Sequence, residues 1–326
     1  MSISPVGTSS VFFVTLSGLF WGGWVVGSQT PQGQEALARA YEAYAQQRAQ
    51  ANEADLFAPN ALRAMVCGSA GVSADGEGPR PCLAVAAAGR LFIVDAGAGA
   101  ARALSDHNVP LGRLHAVLLT GAGRTQSSDL EDLFADSQPS RSSALLAVYG
   151  PEATQHMVQR LNETSGYDGI NAGLQAWGPS PAPGGSVIVF ERDGLTVSAF
   201  ATAEDVAAGR VGYRFDYRGR TLVVAGDGRA EWADADKSVD VVLHSAATTA
   251  LAHLHQNAPI TVAEAARDAR EHNAMLVLTG AADDNLAQQL QLREARAAGL
   301  DNVVAGRVGM LLELPLENTE VNVRPL

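Results

Sequence analysis

The feature that most constrains this chain is a series of short apolar runs, each closed by glycine. LRAMVCGSAG (62–71), PCLAVAAAG (81–89), RLFIVDAGAG (90–99), LHAVLLTG (114–121) and LLAVYG (145–150) follow one another along the first half of the chain. Runs of this length bounded by glycine turns predict buried strands rather than helices. Helical patterns are interleaved: one from about Ala100 to His107, and one opened by Pro151 and running to about Asn162. A second set of strands follows in SVIVFERDG, LTVSAFAT, GYRFDYRG and RTLVVAGDG, with YRGR as a hairpin turn. GYRFDYRG alternates polar and apolar residues, as a half-exposed antiparallel strand would. VDVVLHSA and AMLVLTG predict two more buried strands, Ile260–Glu271 a helix with Thr261 at its N-cap, and Asp283–Ala298 another helix; a last strand pair closes near Pro315. The Gly-, Pro- and Ser-rich stretch from Thr164 to Gly185 reads as a long surface loop. Strands first in hairpins and then alternating with helices predict two packed sheets with helices outside them, an αββα sandwich.

The amino-terminal part differs in kind. No charged residue occurs from Met1 to Gln34, and Val11–Gly27 is an apolar run with Trp21 and Trp24 near its far end. That run, at the short end of a membrane-spanning length, predicts an N-terminal apolar helix acting as a retained anchor or a cleaved signal segment. Residues 1–34 are accordingly read as anchor or signal, 35–60 as a helical stalk rich in Ala, Glu, Gln and Arg, and 61–326 as the folded domain. The domain is then expected to face the periplasm or the cell exterior.

Charge narrows the partners. With 23 Lys and Arg against 35 Asp and Glu the net charge is −12, and no basic stretch occurs. A surface that tracks a phosphate backbone is therefore not expected, which sets nucleic acid aside. A protein or small-molecule ligand, a membrane contact through residues 11–27, and a homo- or hetero-oligomer stay open. The two cysteines, Cys67 and Cys82, lie too far from any Cys or His at ligand spacing to form a zinc knuckle. They read either as buried small hydrophobes or as a disulfide between adjacent strands.

Chemistry is expected where strands end in glycine-rich turns, because backbone can approach a ligand there. Four turns stand out: VDAG at Asp95, LLTGAGRTQSSDLEDL after Thr120, VVAGDG at Asp227, and LVLTG at Gly280. These segments, with GPRPCLAV, AVYGPEAT and GYRFDYRG, resemble in order and spacing the metallo-β-lactamase superfamily, within it the ribonuclease Z and arylsulfatase-like branch. The likeness covers roughly Leu62 to Pro315. It implies a two-zinc hydrolase in which a His-x-His-x-Asp-His motif, a bridging Asp and two further His hold metals that activate a shared water.

Here the matching positions carry other residues. The first two His become Gly121 and Gly123, the Asp becomes Thr125, and the next His becomes Gln126. The later His positions fall on Glu204 and Gly280, and of the seven only Asp227 keeps its family type. A further histidine pair of the branch falls on Asn171 and Ala172, with Asp168 near its arginine. Glycine has no donor atom, and neutral Thr or Gln oxygens bind zinc weakly. No cofactor is expected, and a zinc pair is expected to be lost. Asp227 is the one candidate catalytic residue, and with Glu204 it could hold Ca²⁺ or Mg²⁺ through oxygen atoms. Asp95 and Asp227 each also read as turn formers. His253 and His255 form a His-x-His pair with no acidic or histidine partner at ligand spacing, and Ser127, Ser128 and Asp129 offer no triad. The sequence thus reads as a catalytically degenerate member of that fold, a membrane-tethered binding or regulatory module. The alternative is a hydrolase of phosphate, sulfate or ester substrates with a remodelled site lacking the zinc pair.

Overall fold

The computed structural model describes residues 30–68, 80–202, 209–226, 228, 238–244, 260–279 and 285–326. The apolar run 11–27 lies outside the described residues, and among the described residues no helix is long and apolar enough to cross a membrane. The chain divides into two units, Met1–Ala51 and Asn52–Leu326, and the second holds every described strand.

The helices are α1 (Pro31–Leu56), α2 (Ala100–Asp106), α3 (Arg124–Ser127), α4 (Leu130–Ser137), α5 (Ala153–Ser165), α6 (Val262–Glu271) and α7 (Asn285–Ala297). The strands are β1 (Ala61–Val66), β2 (Leu83–Ala87), β3 (Arg90–Val94), β4 (Leu114–Leu118), β5 (Leu145–Tyr149), β6 (Gly173–Trp177), β7 (Ser186–Arg192), β8 (Leu195–Ala201), β9 (Val211–Tyr217), β10 (Arg220–Gly226), β11 (Val241–His244), β12 (Met275–Leu278), β13 (Val303–Ala305), β14 (Met310–Pro315) and β15 (Asn322–Pro325). One sheet runs β15-β14-β1-β2-β3-β4-β5-β6 and the other β13-β12-β11-β10-β9-β8-β7. In the first, β3 to β6 are mutually parallel; in the second, β10 to β13 are.

Alternation along the strands sorts the apolar residues into three layers. Met65, Leu91, Ile93 and Val117 pack with Leu104, Leu133, Phe134 and Val158 of the helices outside the first sheet. Val242, Leu276 and Leu278 pack with Ala265, Ala269 and Ala295 of α6 and α7 outside the second. Between the sheets lie Leu62, Val85, Phe92, Leu118, Val197, Tyr213, Phe215 and Leu243. Phe92 meets Phe215 of the opposite sheet edge-on, with ring centroids 5.9 Å apart, a contact that contributes about 1 kcal/mol beyond its burial. The αββα order expected from the sequence is thus the order of the described layers.

Local chemistry explains the elements. The two-residue hairpins Ala88-Gly89 and Arg218-Gly219 have positive φ at both positions, the turn whose twist matches flanking strands. Thr261 caps α6 as expected: its side chain accepts from the Glu264 N–H while Glu264 bonds back to the Thr261 N–H at 2.8 Å.

Three expectations are corrected. The stretch 164–185 is not all loop, since it contains β6, whose Gly173–Trp177 pairs parallel to β5. Its signal was weak because GLQAW carries no β-branched residue, and part of its pairing comes from a side chain. Asn162 donates to Leu174 O at 2.8 Å and accepts from Leu174 N at 2.9 Å, as a neighbouring strand would. β9 is not half-exposed, because it lies between β8 and β10 and only Asp216 is more than slightly accessible. Its outward Arg214 is neutralised by a two-point contact with Asp216, at 2.8 Å for each nitrogen. Finally, Cys67 and Cys82 are not free hydrophobes but a disulfide with a Cα separation of 4.9 Å. It closes the β1–β2 connection, where Cys67 N and Gly68 N both donate to Cys82 O at 3.0 Å.

Two stability predictions arise. Linking residues 15 apart restricts the unfolded chain, so reduction, or Cys67→Ser with Cys82→Ser, should lower unfolding free energy by about 3 kcal/mol in urea titrations. An unchanged midpoint after complete reduction would contradict a constraining role. His244, at the end of β11, is wholly buried, and neither ring nitrogen has a hydrogen-bond partner among the described residues. Burial holds its pKa down to about 4, against about 6.5 for an exposed histidine. The neutral form is favoured in the fold, so its contribution is complete above pH 6.5 and lost as pH falls through 4. Acid unfolding should therefore be milder in His244→Leu, by up to roughly 3 kcal/mol at pH 4; parallel pH–stability curves for the two proteins would exclude this origin.

Candidate functional site

The candidate site lies along the carboxyl ends of the parallel strands, where chain direction leaves β3, β4, β5 and β6 in turns on one edge of the sheet. Asp95, the residue after β3, adopts φ 58° and is 2% exposed. Its carboxylate accepts two hydrogen bonds from Thr120 at the end of the next strand, one from the backbone N–H and one from the hydroxyl, each 2.8 Å. The expectation that Asp95 forms a turn is therefore sharpened: it ties two site turns together. Just below, the Tyr213 hydroxyl donates to Leu119 O at 2.9 Å. Burial, and then the negative charge of Asp95, push the Tyr213 pKa well above the ordinary phenol value.

The loop after Thr120 is stitched to the Asp95 turn by backbone. Ala96 N donates to Gln126 O at 2.7 Å, Asp129 N to Ala96 O at 2.9 Å, and Asp129 Oδ2 accepts from Ala101 N at 3.2 Å. Ser127 donates its hydroxyl to Gly123 O at 3.0 Å, closing the first turn of α3. Gln126 is 8% exposed and its side chain lies over the two glycines before it. A Cβ at Gly121 would stand 3.5 Å from Gln126 Oε1, and one at Gly123 would stand 3.1 Å from it. The carboxamide thus occupies the volume into which larger side chains at 121 and 123 would grow.

The second sheet brings its turns to the same place. Val211 N donates to Thr120 O at 3.1 Å, bridging the sheets. Gly226, at φ 64°, has room for no side chain beside Thr120, since a Cβ would lie 3.0 Å from that residue's Cβ. Gly228 is tighter still against Thr202, at 2.7 Å. Both flanks of Asp227 are therefore held against threonines of the site. On the next strands, Thr279 donates to His244 O through its backbone N–H at 3.0 Å.

Of the positions singled out in the sequence, Gly121, Gly123, Thr125 and Gln126 share the loop beside Asp95. Glu204, Asp227, Gly280, His253 and His255 lie outside the described residues. Asp168 stands apart, on an exposed turn after α5, and serves the turn itself. It accepts N–H bonds from Ile170, Asn171 and Ala172 at 2.9, 2.8 and 3.2 Å, and one from the Asn171 side chain at 2.6 Å. Those bonds, the Asn171 side chain foremost, hold its carboxyl well below the usual range. Sequence reasoning missed the Gln126 packing, because a residue's neighbour across a loop carries no periodic signal, and it missed the solvent-facing stack of Trp177 on Tyr149.

The four described loop positions carry no imidazole or carboxylate, and the space at two of them is filled by an amide. Such a donor set does not fit a zinc pair, which requires His nitrogen and carboxylate or thiolate ligands. Among the described residues no three His, Cys, Asp or Glu side chains stand together at a spacing suited to a metal.

No protein-family model matches the chain. It is 29% identical over 158 residues to a ribonuclease Z of Mycobacterium marinum, covering 45% of this chain and 56% of that protein. It is 27% identical over 157 residues to a ribonuclease Z of Mycolicibacterium paratuberculosis, again covering 45% and 56%. The chain spans about half the length of the curated relatives it matches. Among solved structures it resembles the metallo-β-lactamase fold protein YhfI from Bacillus subtilis, with a TM-score of 0.62 at 18% identity over 78% of this chain and 99% of that one. The short form of human tRNase Z gives 0.56 at 18% over 68% and 93%, and a diphosphatase from the PhnP family 0.56 at 15% over 82% and 99%. Two stacked sheets whose strand ends meet at one hydrogen-bonded edge, together with these likenesses, place this chain in the metallo-β-lactamase fold superfamily.

Proposed function

We propose that this chain is a hydrolase of phosphate, sulfate or ester substrates that works through a remodelled site without a zinc pair. The observation that carries the reading is the convergence of the β3, β4 and β10 turns. Asp95 locks the first two together, and the glycines on either side of Asp227 abut Thr120 and Thr202. A substrate at that edge meets backbone N–H groups and the Gln126 amide, groups able to stabilise negative charge developing on an oxygen. In this reading Asp227 is the base that takes a proton from the attacking water. Relatives named ribonuclease Z and diphosphatase support hydrolysis of a phosphate ester. They also raise RNA as a substrate, but a net charge of −12 repels a polyanion, so small esters are the substrates proposed. The Cys67–Cys82 disulfide supports an oxidising compartment, periplasmic or extracellular. A membrane tether has no support among the described residues and is not part of the proposal.

One observation favours a second reading, a catalytically degenerate binding or regulatory module. The Gln126 carboxamide fills space where the family's motif begins. Turnover of 4-nitrophenyl phosphate, bis(4-nitrophenyl) phosphate, 4-nitrophenyl sulfate and 4-nitrophenyl acetate separates the two. For a hydrolase, Asp227→Ala should lower the rate on the preferred probe by roughly 100-fold or more; equal rates for wild type and variant on all four would leave only the binding module. Elemental analysis of the purified protein should give well under one zinc per chain, and about two would defeat both readings of the site.

A further inference from the structure

β6 ends the first sheet and β7 the second, and they are consecutive in the chain; the Phe190 ring of β7 packs on His115 of β4, with centroids 4.8 Å apart, which sets both ends on one side of the sandwich. Elsewhere the layer between the sheets is filled by the shared core, but at this side apolar residues facing that layer remain open to water. Tyr149 packs on the inter-sheet core. Trp177 is its register partner and lies nearly parallel to it, with rings inclined by 22° and centroids 6.4 Å apart. The indole is nonetheless 49% exposed. From the other sheet Val187 pairs with Ala199, whose side chain belongs to the same inter-sheet core, so Val187 faces the same layer; it is 37% exposed.

Registers set these residues near one height. Trp177 pairs with Tyr149 and Tyr149 with Leu118. Val187 is level with Tyr213 through Ala199, and the Tyr213 hydroxyl reaches Leu119. That height is the edge where Asp95 meets Thr120. Three strand spacings separate β3 from β6, placing Trp177 roughly 14 Å along the edge from Asp95.

We propose that this open end of the inter-sheet layer, walled by Trp177 on Tyr149 and by Val187, is a subsite for a planar aromatic or heteroaromatic ring. The ring is chosen over an alkyl chain because a nearly parallel aromatic stack already stands at the rim. A further ring extends it without moving either side chain, and face-to-face contact of this kind is tolerant of ring type. The proposal rests on the reading that the reacting group of the ligand binds at the Asp95–Thr120 edge. It names the other end of that ligand.

The test compares 1-naphthyl phosphate, methyl phosphate and 1-naphthol by calorimetric titration of the oxidised full chain, in wild type, Trp177→Ala and Trp177→Phe. Naphthyl phosphate should bind wild type at least about tenfold more tightly than methyl phosphate. Trp177→Ala should remove that advantage and leave methyl phosphate unchanged, while Trp177→Phe should keep most of it. Equal affinities of the two phosphates for wild type, or naphthyl phosphate binding that Trp177→Ala does not alter, would overturn the subsite. Naphthol binding that depends on Trp177 upholds the subsite even where none of the esters is hydrolysed, in which case the hydrolase reading alone fails.

Discussion

Asp95 and Thr120 carry the architecture of the site edge. A carboxylate 2% exposed in a left-handed turn is costly to bury unless its oxygens are satisfied, and Thr120 supplies both an N–H and an O–H. That pair fixes the turn after β3 against the turn after β4. Through Ala96 it also fixes the loop carrying Gln126 and Asp129. Thr120 then serves the other sheet, its carbonyl accepting from Val211 and its side chain lying against Gly226. One residue pair thereby holds together strand ends that are far apart in sequence.

Close backbone approach is the second constraint. Gly68 and Gly97 both lie against the segment at Arg80–Cys82, where an added Cβ would come within 2.2–2.8 Å of backbone and side-chain atoms. The disulfide closes this crossing, and Gly97 N donates to Pro81 O at 2.9 Å. The edge is thus built from backbone brought into contact, with small residues where larger side chains cannot enter. Such a surface presents N–H groups, hydroxyls and an amide.

That character bears on function. The fold's edge is retained while the described part of its motif offers neutral groups, so the chemistry proposed depends on hydrogen bonding and on Asp227 rather than on a metal pair. The aromatic stack at the open side lies along the same edge. Ring recognition and ester chemistry would then be two ends of one ligand-binding line.

Much of this was legible in the residues themselves. Glycine-closed apolar runs gave the strands, because strand length and burial are written in local hydrophobic pattern; Thr261 and Glu264 announced the cap of α6 in the same local way. The four turns were legible because each combines a strand end with glycine. Absence of imidazole at Gly121, Gly123 and Gln126 needed no structure at all, since a side chain that is not encoded cannot be supplied by folding. What required the tertiary structure were relations between residues distant in sequence. Strand pairing decided that Cys67 bonds Cys82, that β9 is covered on both faces, and that Asn162 completes β6. Packing across a loop decided that Gln126 occupies the space beside two glycines. The order of strands decided that Trp177 and Val187 share an open side, because a sheet's edge is a property of which strand comes last, and no single segment encodes that.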